Sequence, residues 1–152
     1  MYPPVVQARP KPGDAFFISR GILVDMDTLL LYSGWALVLF RVIVGAVLMA
    51  HGVPKIRNLD ATAKWFHSVG FRPGRLWGSV AAILETFGGA LLILGLLVRP
   101  LAFLFILQFL VIIVWKIMRK QSFTGNNGSE LDLLLLGSML ILLTVGGGFY
   151  GF

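Results

Sequence analysis

Four long apolar runs restrict this chain more than any other feature of its sequence. They cover Leu29–Gly52, Leu76–Val98, Leu101–Ile117 and Leu131–Gly148. Each run approaches or exceeds the ~17–25 residues that a transmembrane helix needs. With 57% hydrophobic and 13% charged residues among 152, a soluble domain of this size would have too little polar surface to cover itself. The sequence therefore predicts an all-α integral membrane protein, a bundle of four transmembrane helices.

The segments outside these runs suggest how the chain lies at the membrane surface. Residues 1–28 are interpreted as an N-terminal tail with an interfacial segment at Phe16–Val24, and residues 29–152 as one membrane domain. The tail has no small-residue cleavage site after a short apolar stretch, so it is not predicted to be a signal peptide. Leu59–Phe71 mixes aromatic and basic residues, which is typical of a short helix at the level of the lipid headgroups.

The basic residues between the runs predict an orientation. The first and third connections, together with Lys116 at the end of the third run, hold eight Lys and Arg residues, and the tail and second connection hold four. Cytoplasmic loops carry the excess of positive charge. Both connections are therefore expected in the cytoplasm and both chain termini outside.

Two charged residues lie far from the ends of the apolar runs, Arg41 in the first and Glu85 in the second. A charge at the centre of a bilayer costs at least ~2.5–3.5 kcal/mol, so it is retained only when it is paired or serves a pathway. At ~1.5 Å per residue from Gly52 and Leu76, the two charges lie at depths of ~16 and ~14 Å, so they are predicted to meet. Their pairing is either structural or functional.

Two uncharged polar residues fall near the same depth. Gln108 and Ser138 lie at ~14 and ~10 Å on the same scale. Because polar side chains avoid lipid, one per helix in a common layer indicates a polar bundle interior. We interpret this layer as an intramembrane polar centre, formed by Arg41, Glu85, Gln108 and Ser138.

A second set of polar residues is predicted at the cytoplasmic rim. It comprises His51, Lys55, Lys116 and Glu130, which lie at the ends of three runs. A histidine side chain can exchange protons or hydrogen-bond a quinone-type carbonyl. Lysines at helix ends are also common as anchors that reach toward the headgroups. The set is interpreted as a cytoplasmic mouth of the polar centre, with anchoring as the alternative.

Several kinds of chemistry are not expected from this sequence. The chain has no cysteine and only two histidines, His51 and His67, so no disulfide, iron–sulfur cluster, bis-histidine haem or metal centre is predicted. It also lacks a phosphate-binding glycine loop and a Ser/His/Asp set. No catalytic residue or intrinsic cofactor is assigned. The net charge of +6 is attributed to contacts with lipid headgroups rather than nucleic acid.

The order and spacing of several motifs resemble the DoxX family of four-helix membrane proteins. They are Arg41-x3-Gly45, His51-Gly52-x2-Lys55, Phe66-x3-Gly70 with Pro73, Glu85-x2-Gly88-Gly89, Leu94-Gly95-Leu96 before Arg99, and Glu130-Leu131. The similarity runs from about Leu29 to Gly148. The chain departs from the family pattern after Gly146–Gly148, where Phe149-Tyr150-Gly151-Phe152 replaces a Ser-Leu-Asp-like close.

The resemblance implies a role but no activity of the chain alone. It implies a multi-pass accessory subunit of a quinone-linked redox system, of respiratory or sulfur-oxidising type, in a prokaryotic cytoplasmic (inner) membrane. The polar centre would contact quinone or protons, and the chain would be at most a subunit of a quinone-dependent oxidoreductase. Candidate partners are the bilayer, redox-complex subunits and further copies of the chain. The alternatives are a non-redox membrane scaffold and a small-solute carrier.

Overall fold

The structure is a computed structural model that describes residues 12–125 and 128–148, with side chains from Tyr32 onward. The chain divides into two units, residues 1–34 and residues 35–152. Within the first unit the described backbone, including the predicted interfacial segment, belongs to the helix α1. Residues 1–11 of the predicted tail lie outside the described residues. The core and the candidate site belong to the second unit.

The described part of the chain is helical and contains no strand, which confirms the all-α class. The six α-helices are α1 (Pro12–Arg57), α2 (Leu59–Ser68), α3 (Gly74–Ile83), α4 (Gly89–Leu94), α5 (Val98–Met118) and α6 (Glu130–Val145). A π-helical turn over Leu84–Gly88 joins α3 to α4. The short helix α2 lies between the first two spans, where the sequence predicted one.

Within the described part of the chain, three segments are long and apolar enough to cross a membrane. They are Tyr32–Arg57 in α1, Gly74–Leu94 formed by α3, the π turn and α4, and Val98–Met118 in α5. The first continues beyond the predicted end at Gly52 because the helix passes through Pro54 without a break. The fourth predicted run forms α6, an apolar helix of 16 residues. At ~1.5 Å per residue α6 is ~24 Å long, shorter than the ~30 Å hydrocarbon layer.

Glycines determine how α1 packs on the second span. A Cβ atom added at Gly45 would lie 2.6 Å from the carbonyl oxygen of Gly89, and one added at Gly52 would lie 2.6 Å from the backbone nitrogen of Thr86. Small residues let membrane helices approach backbone to backbone. The two contacts therefore set the register, with Gly45 opposite Gly89 and Gly52 opposite the π turn.

The buried core joins four of the helices. Its members come from α1, α4, α5 and α6. One of them, Phe105, packs against the π turn: a Cβ atom added at Gly88 would lie 2.9 Å from its ring. The largest fully buried side chains are Phe105, Leu48, Leu92, Met139, Leu142 and Val98. This packing holds the π turn between α1 and α5.

Candidate functional site

Glu85 lies at the point where three elements converge. It belongs to the π turn and is 4% exposed. Lys55, near the end of α1, donates to both carboxylate oxygens with Nζ–O distances of 2.6 Å. Gln108, on α5, donates from Nε2 to Oε1 at 2.7 Å. A buried carboxylate thus receives one cationic and one amide donor from two neighbouring helices.

The π turn explains why the carboxylate faces these donors. A π-helical turn hydrogen-bonds from residue i to i+5, so it inserts an extra residue and changes the direction of the side chains around it. Gly88 and Gly89 allow α5 and α1 to lie directly against the turn. π turns are rare and are frequently found at functional sites. The local distortion and the buried charge therefore coincide at Glu85.

The ion pair connects a buried group with the surface of the domain. The Lys55 side chain is 33% exposed and the Glu85 side chain 5%. The pair offsets the cost of placing a carboxylate in a low-dielectric interior, because each partner supplies the opposite charge. Chemically, the carboxylate can hold a proton, and the two N–H donors can hydrogen-bond a carbonyl or another acceptor.

The predicted ion pair between Arg41 and Glu85 is wrong, because Glu85 pairs with Lys55 instead. The depth estimate assumed that Gly52 and Leu76 mark the same level at the cytoplasmic side. In the structure Gly52 instead packs against Thr86, which places the Lys55 end of α1, rather than Arg41, beside the carboxylate. The contact between small residues overrides a register derived from the ends of apolar runs.

The remaining members of the predicted polar centre, Gln108, Ser138 and Arg41, lie in different surroundings. Gln108 lies at the centre as Glu85's second donor. Ser138 is buried, but its hydroxyl donates to the carbonyl of Leu134 in its own helix, at 2.8 Å. Arg41 is buried, and its Nη1 donates to the carbonyl of Gly147, beyond the end of α6, at 2.9 Å. The predicted four-residue layer therefore does not form one cluster.

The predicted cytoplasmic mouth is also divided. Lys55 belongs to the centre, whereas Lys116 pairs with Asp132 and donates to the carbonyl of Gly128 at 2.8 Å. The exposed side chains of His51 and Glu130 make no hydrogen bond or ion pair with the described residues. The structure thus brings Lys55 to Glu85 and leaves the other three mouth residues apart from it.

Two features of the site were not found from the sequence. The first is the π turn itself, and the second is Thr86, whose buried Oγ1 has no hydrogen-bond partner among the described residues. The one available signal was the glycine spacing: Gly45 and Gly52 lie two helical turns apart on α1, on one face of the helix. Such a face predicts close contact, but not which turn of the neighbour it meets.

One family profile and two curated relatives match this chain. A family profile described as DoxX matches residues 36–117. The chain is 35% identical over 111 residues to a Bacillus subtilis (strain 168) protein named "Putative oxidoreductase CatD", covering 73% of this chain and 79% of the relative. It is 33% identical over 70 residues to "Inner membrane protein YphA" of Escherichia coli (strain K12), covering 46% of this chain and 50% of the relative. No solved structure gives a significant match.

Proposed function

The chain belongs to the DoxX family of membrane proteins, and from this premise we propose that it is an accessory subunit of a quinone-linked redox system in a prokaryotic cytoplasmic membrane. The polar centre at Glu85 is the proposed contact site for the quinone headgroup and for protons. The exposed end of α1, with His51 and Lys55, is the proposed entrance. The family and the relative's name as an oxidoreductase support this proposal.

The observation that carries the proposal is the convergence of a carboxylate and two donors in a π turn. Lys55 and Gln108 each present N–H groups at hydrogen-bond distance from one atom, Glu85 Oε1. A quinone carbonyl that took the place of the Glu85 carboxylate as acceptor would find the same two donors. A scaffold requires only that the buried charge be neutralised, which Lys55 alone does; the added amide and the rare π turn favour a ligand site.

The proposed chemistry assigns proton handling to this chain. Reduction of a quinone to a quinol takes up two electrons and two protons. In the proposed system the electrons come from a partner redox subunit. In this proposal Gln108 and Lys55 orient one quinone carbonyl and Glu85 supplies its proton, which is replaced from the exposed end of α1 beside Lys55. The proton on the second carbonyl comes from the partner subunit that supplies the electrons.

The quinone proposal is tested by replacing Gln108, which contributes a donor and no charge. We expect Gln108→Leu to fold to a yield near that of the parent, because an apolar side chain suits the surroundings of α5. We expect it to lower quinone retained after mild-detergent purification by about ten-fold, the effect of losing ~1.4 kcal/mol of binding. Lipid extraction and chromatographic quantification of quinone at equal protein level give the measurement.

The matched control is Gln121→Leu, which makes the same substitution after the end of α5 and is expected to retain quinone like the parent. Parent protein that purifies with neither quinone nor a redox partner would instead support the scaffold. Substrate flux in proteoliposomes without quinone would support the carrier. Wild-type quinone content in folded Gln108→Leu would rule out this site.

We further propose that α6 is the fourth span and that both termini lie outside the cytoplasm. Tilting of neighbours, local thinning of the bilayer and flanking residues allow a helix of ~24 Å to cross. The eight-to-four excess of basic residues in the first and third connections supports the orientation.

Cysteine labelling tests this topology directly, because the natural chain has no cysteine. Single cysteines at Gly13, Lys64, Ser122 and Gly151 are expected to react with a membrane-impermeant maleimide in intact cells only at the first and last positions. Disrupted cells, in which all four should react, are the control. Labelling of Lys64 and Ser122 alone would reverse the orientation, and equal labelling of Ser122 and Gly151 would place α6 on one side of the membrane.

A further inference from the structure

A second buried charge lies outside the Glu85 centre and has no counter-ion among the residues that the structure describes. Arg41 is 3% exposed, and the carbonyl of Gly147 is the one hydrogen-bond acceptor that the described residues give its guanidinium. Its Nε is buried and has no partner among those residues. A guanidinium has five N–H groups and stays charged. A buried cation in this state calls for an anion.

The described acidic side chains do not supply that anion. Glu85 pairs with Lys55, and Asp132 pairs with Lys116. The side chains of Asp60 and Glu130 are exposed, and neither makes an ion pair with the described residues. Within the part of the chain that the structure describes, Arg41 therefore has no carboxylate partner.

A second arginine lies against the same turn of the chain. The Nε and Nη2 atoms of Arg99 are each 3.7 Å from the position that a Cβ atom would take on Gly146. Gly146 and Gly147 are buried, Gly148 is half-buried and Arg99 is exposed. The three-glycine turn thus passes from the buried Arg41 toward a surface that carries Arg99.

We propose that Arg41, Arg99 and the Gly146–Gly148 turn bind a phosphate group. Two guanidinium groups that have no carboxylate partner in residues 32–125 and 128–148 attract an anion of more than one oxygen. The arginine fork matches phosphate with two parallel hydrogen bonds. Arg99 follows the short connection between the second and third spans, where phospholipid headgroups lie. The source of the phosphate is a phospholipid headgroup or the free anion. This site is independent of the quinone proposal.

The test uses delipidated full-length protein in a non-ionic detergent and follows thermal unfolding by tryptophan fluorescence. Inorganic phosphate is compared with sodium chloride at equal ionic strength, and short-chain phosphatidylglycerol with phosphatidylcholine. We expect phosphate or phosphatidylglycerol to raise the Tm in a saturable manner, because a ligand that binds only the folded state stabilises it. Stabilisation by phosphatidylglycerol alone identifies a lipid headgroup; stabilisation by both identifies a phosphate site open to the free anion.

Arg99→Gln and Arg41→Gln are expected to weaken the apparent affinity for phosphate or phosphatidylglycerol by about ten-fold or more, as the loss of one charged contact implies. Arg75→Gln, which removes an exposed arginine at the start of α3, is the control and should respond like the parent. Because Arg99 is exposed, Arg99→Gln decides the outcome even if Arg41→Gln fails to fold. The proposal is overturned if neither additive raises the Tm above its control, or if Arg99→Gln responds like the parent.

Discussion

Lys55→Met is expected to destabilise the protein by about 3–5 kcal/mol, the usual cost of breaking a buried ion pair from one side. The substitution leaves the Glu85 carboxylate buried with Gln108 as its remaining donor among the contacts described above. The free energy of unfolding in detergent, measured by denaturant titration and circular dichroism, gives the comparison. The effect is large because Glu85 cannot move to water without disrupting the π turn.

The reverse substitution is expected to cost less. In Glu85→Gln the amide oxygen still accepts from Gln108, and the partly exposed Lys55 side chain, 33% accessible, turns toward solvent. We expect a loss of about 1.5–3 kcal/mol, the usual value of a hydrogen bond to a charged group. The double variant Lys55→Met/Glu85→Leu removes both charges, and we expect it to recover most of the stability.

Lys64→Met, on the exposed side of α2, is the matched control and is expected to change the free energy of unfolding by less than about 0.5 kcal/mol. Equal losses of stability in Lys55→Met and Glu85→Gln would contradict the argument that Glu85 is buried while Lys55 can reach solvent. The single variant Glu85→Leu completes the double-mutant cycle, and losses that simply add up in Lys55→Met/Glu85→Leu would show that the two side chains do not interact.

Gly52→Ala is expected to destabilise the protein by about 1–3 kcal/mol through overpacking. The added methyl group would lie 2.6 Å from the backbone nitrogen of Thr86 and 2.8 Å from the carbonyl carbon of Glu85. Because the obstacle is backbone, α1 has to move away from the π turn, and the Lys55–Glu85 contact lengthens. Thermal unfolding of the purified variant measures the loss.

The control is Gly137→Ala in α6, where an added Cβ would meet nothing within 4 Å. Alanine is the better helix former, so this variant is expected to be neutral or stabilised by up to about 1 kcal/mol. If Gly52→Ala is as stable as Gly137→Ala, α1 does not pack against the π turn, and the geometry of the Glu85 centre fails with it.

The positions of the spans could be read from the sequence, because hydropathy and helix length are local properties. Three of the four predicted runs coincide closely with apolar helices of spanning length, and the fourth forms the shorter helix α6. The inward orientation of Glu85 and Gln108 could also be predicted, because polar groups in apolar runs must face a protein interior. These predictions needed no knowledge of which helix contacts which.

The partner of each polar group required the tertiary structure. Both arginine and lysine can neutralise a carboxylate, and the sequence favoured Arg41 because its estimated depth matches that of Glu85. Gly45 and Gly52 fit closely against Gly89 and Thr86, and that fit fixes the axial position of α1. It places Lys55 at Glu85 and leaves Arg41 at the Gly147 carbonyl.

The sequence by itself therefore determined that the protein lies in a lipid bilayer, that it is helical, and which residues cannot face lipid. The tertiary structure decided which of those residues meet, and that the carboxylate lies in a π turn. The physical reason is that burial depends on composition, which varies slowly along a helix. Pairing depends on axial register, which shifts by ~1.5 Å with each residue and is set by backbone contacts between residues distant in sequence.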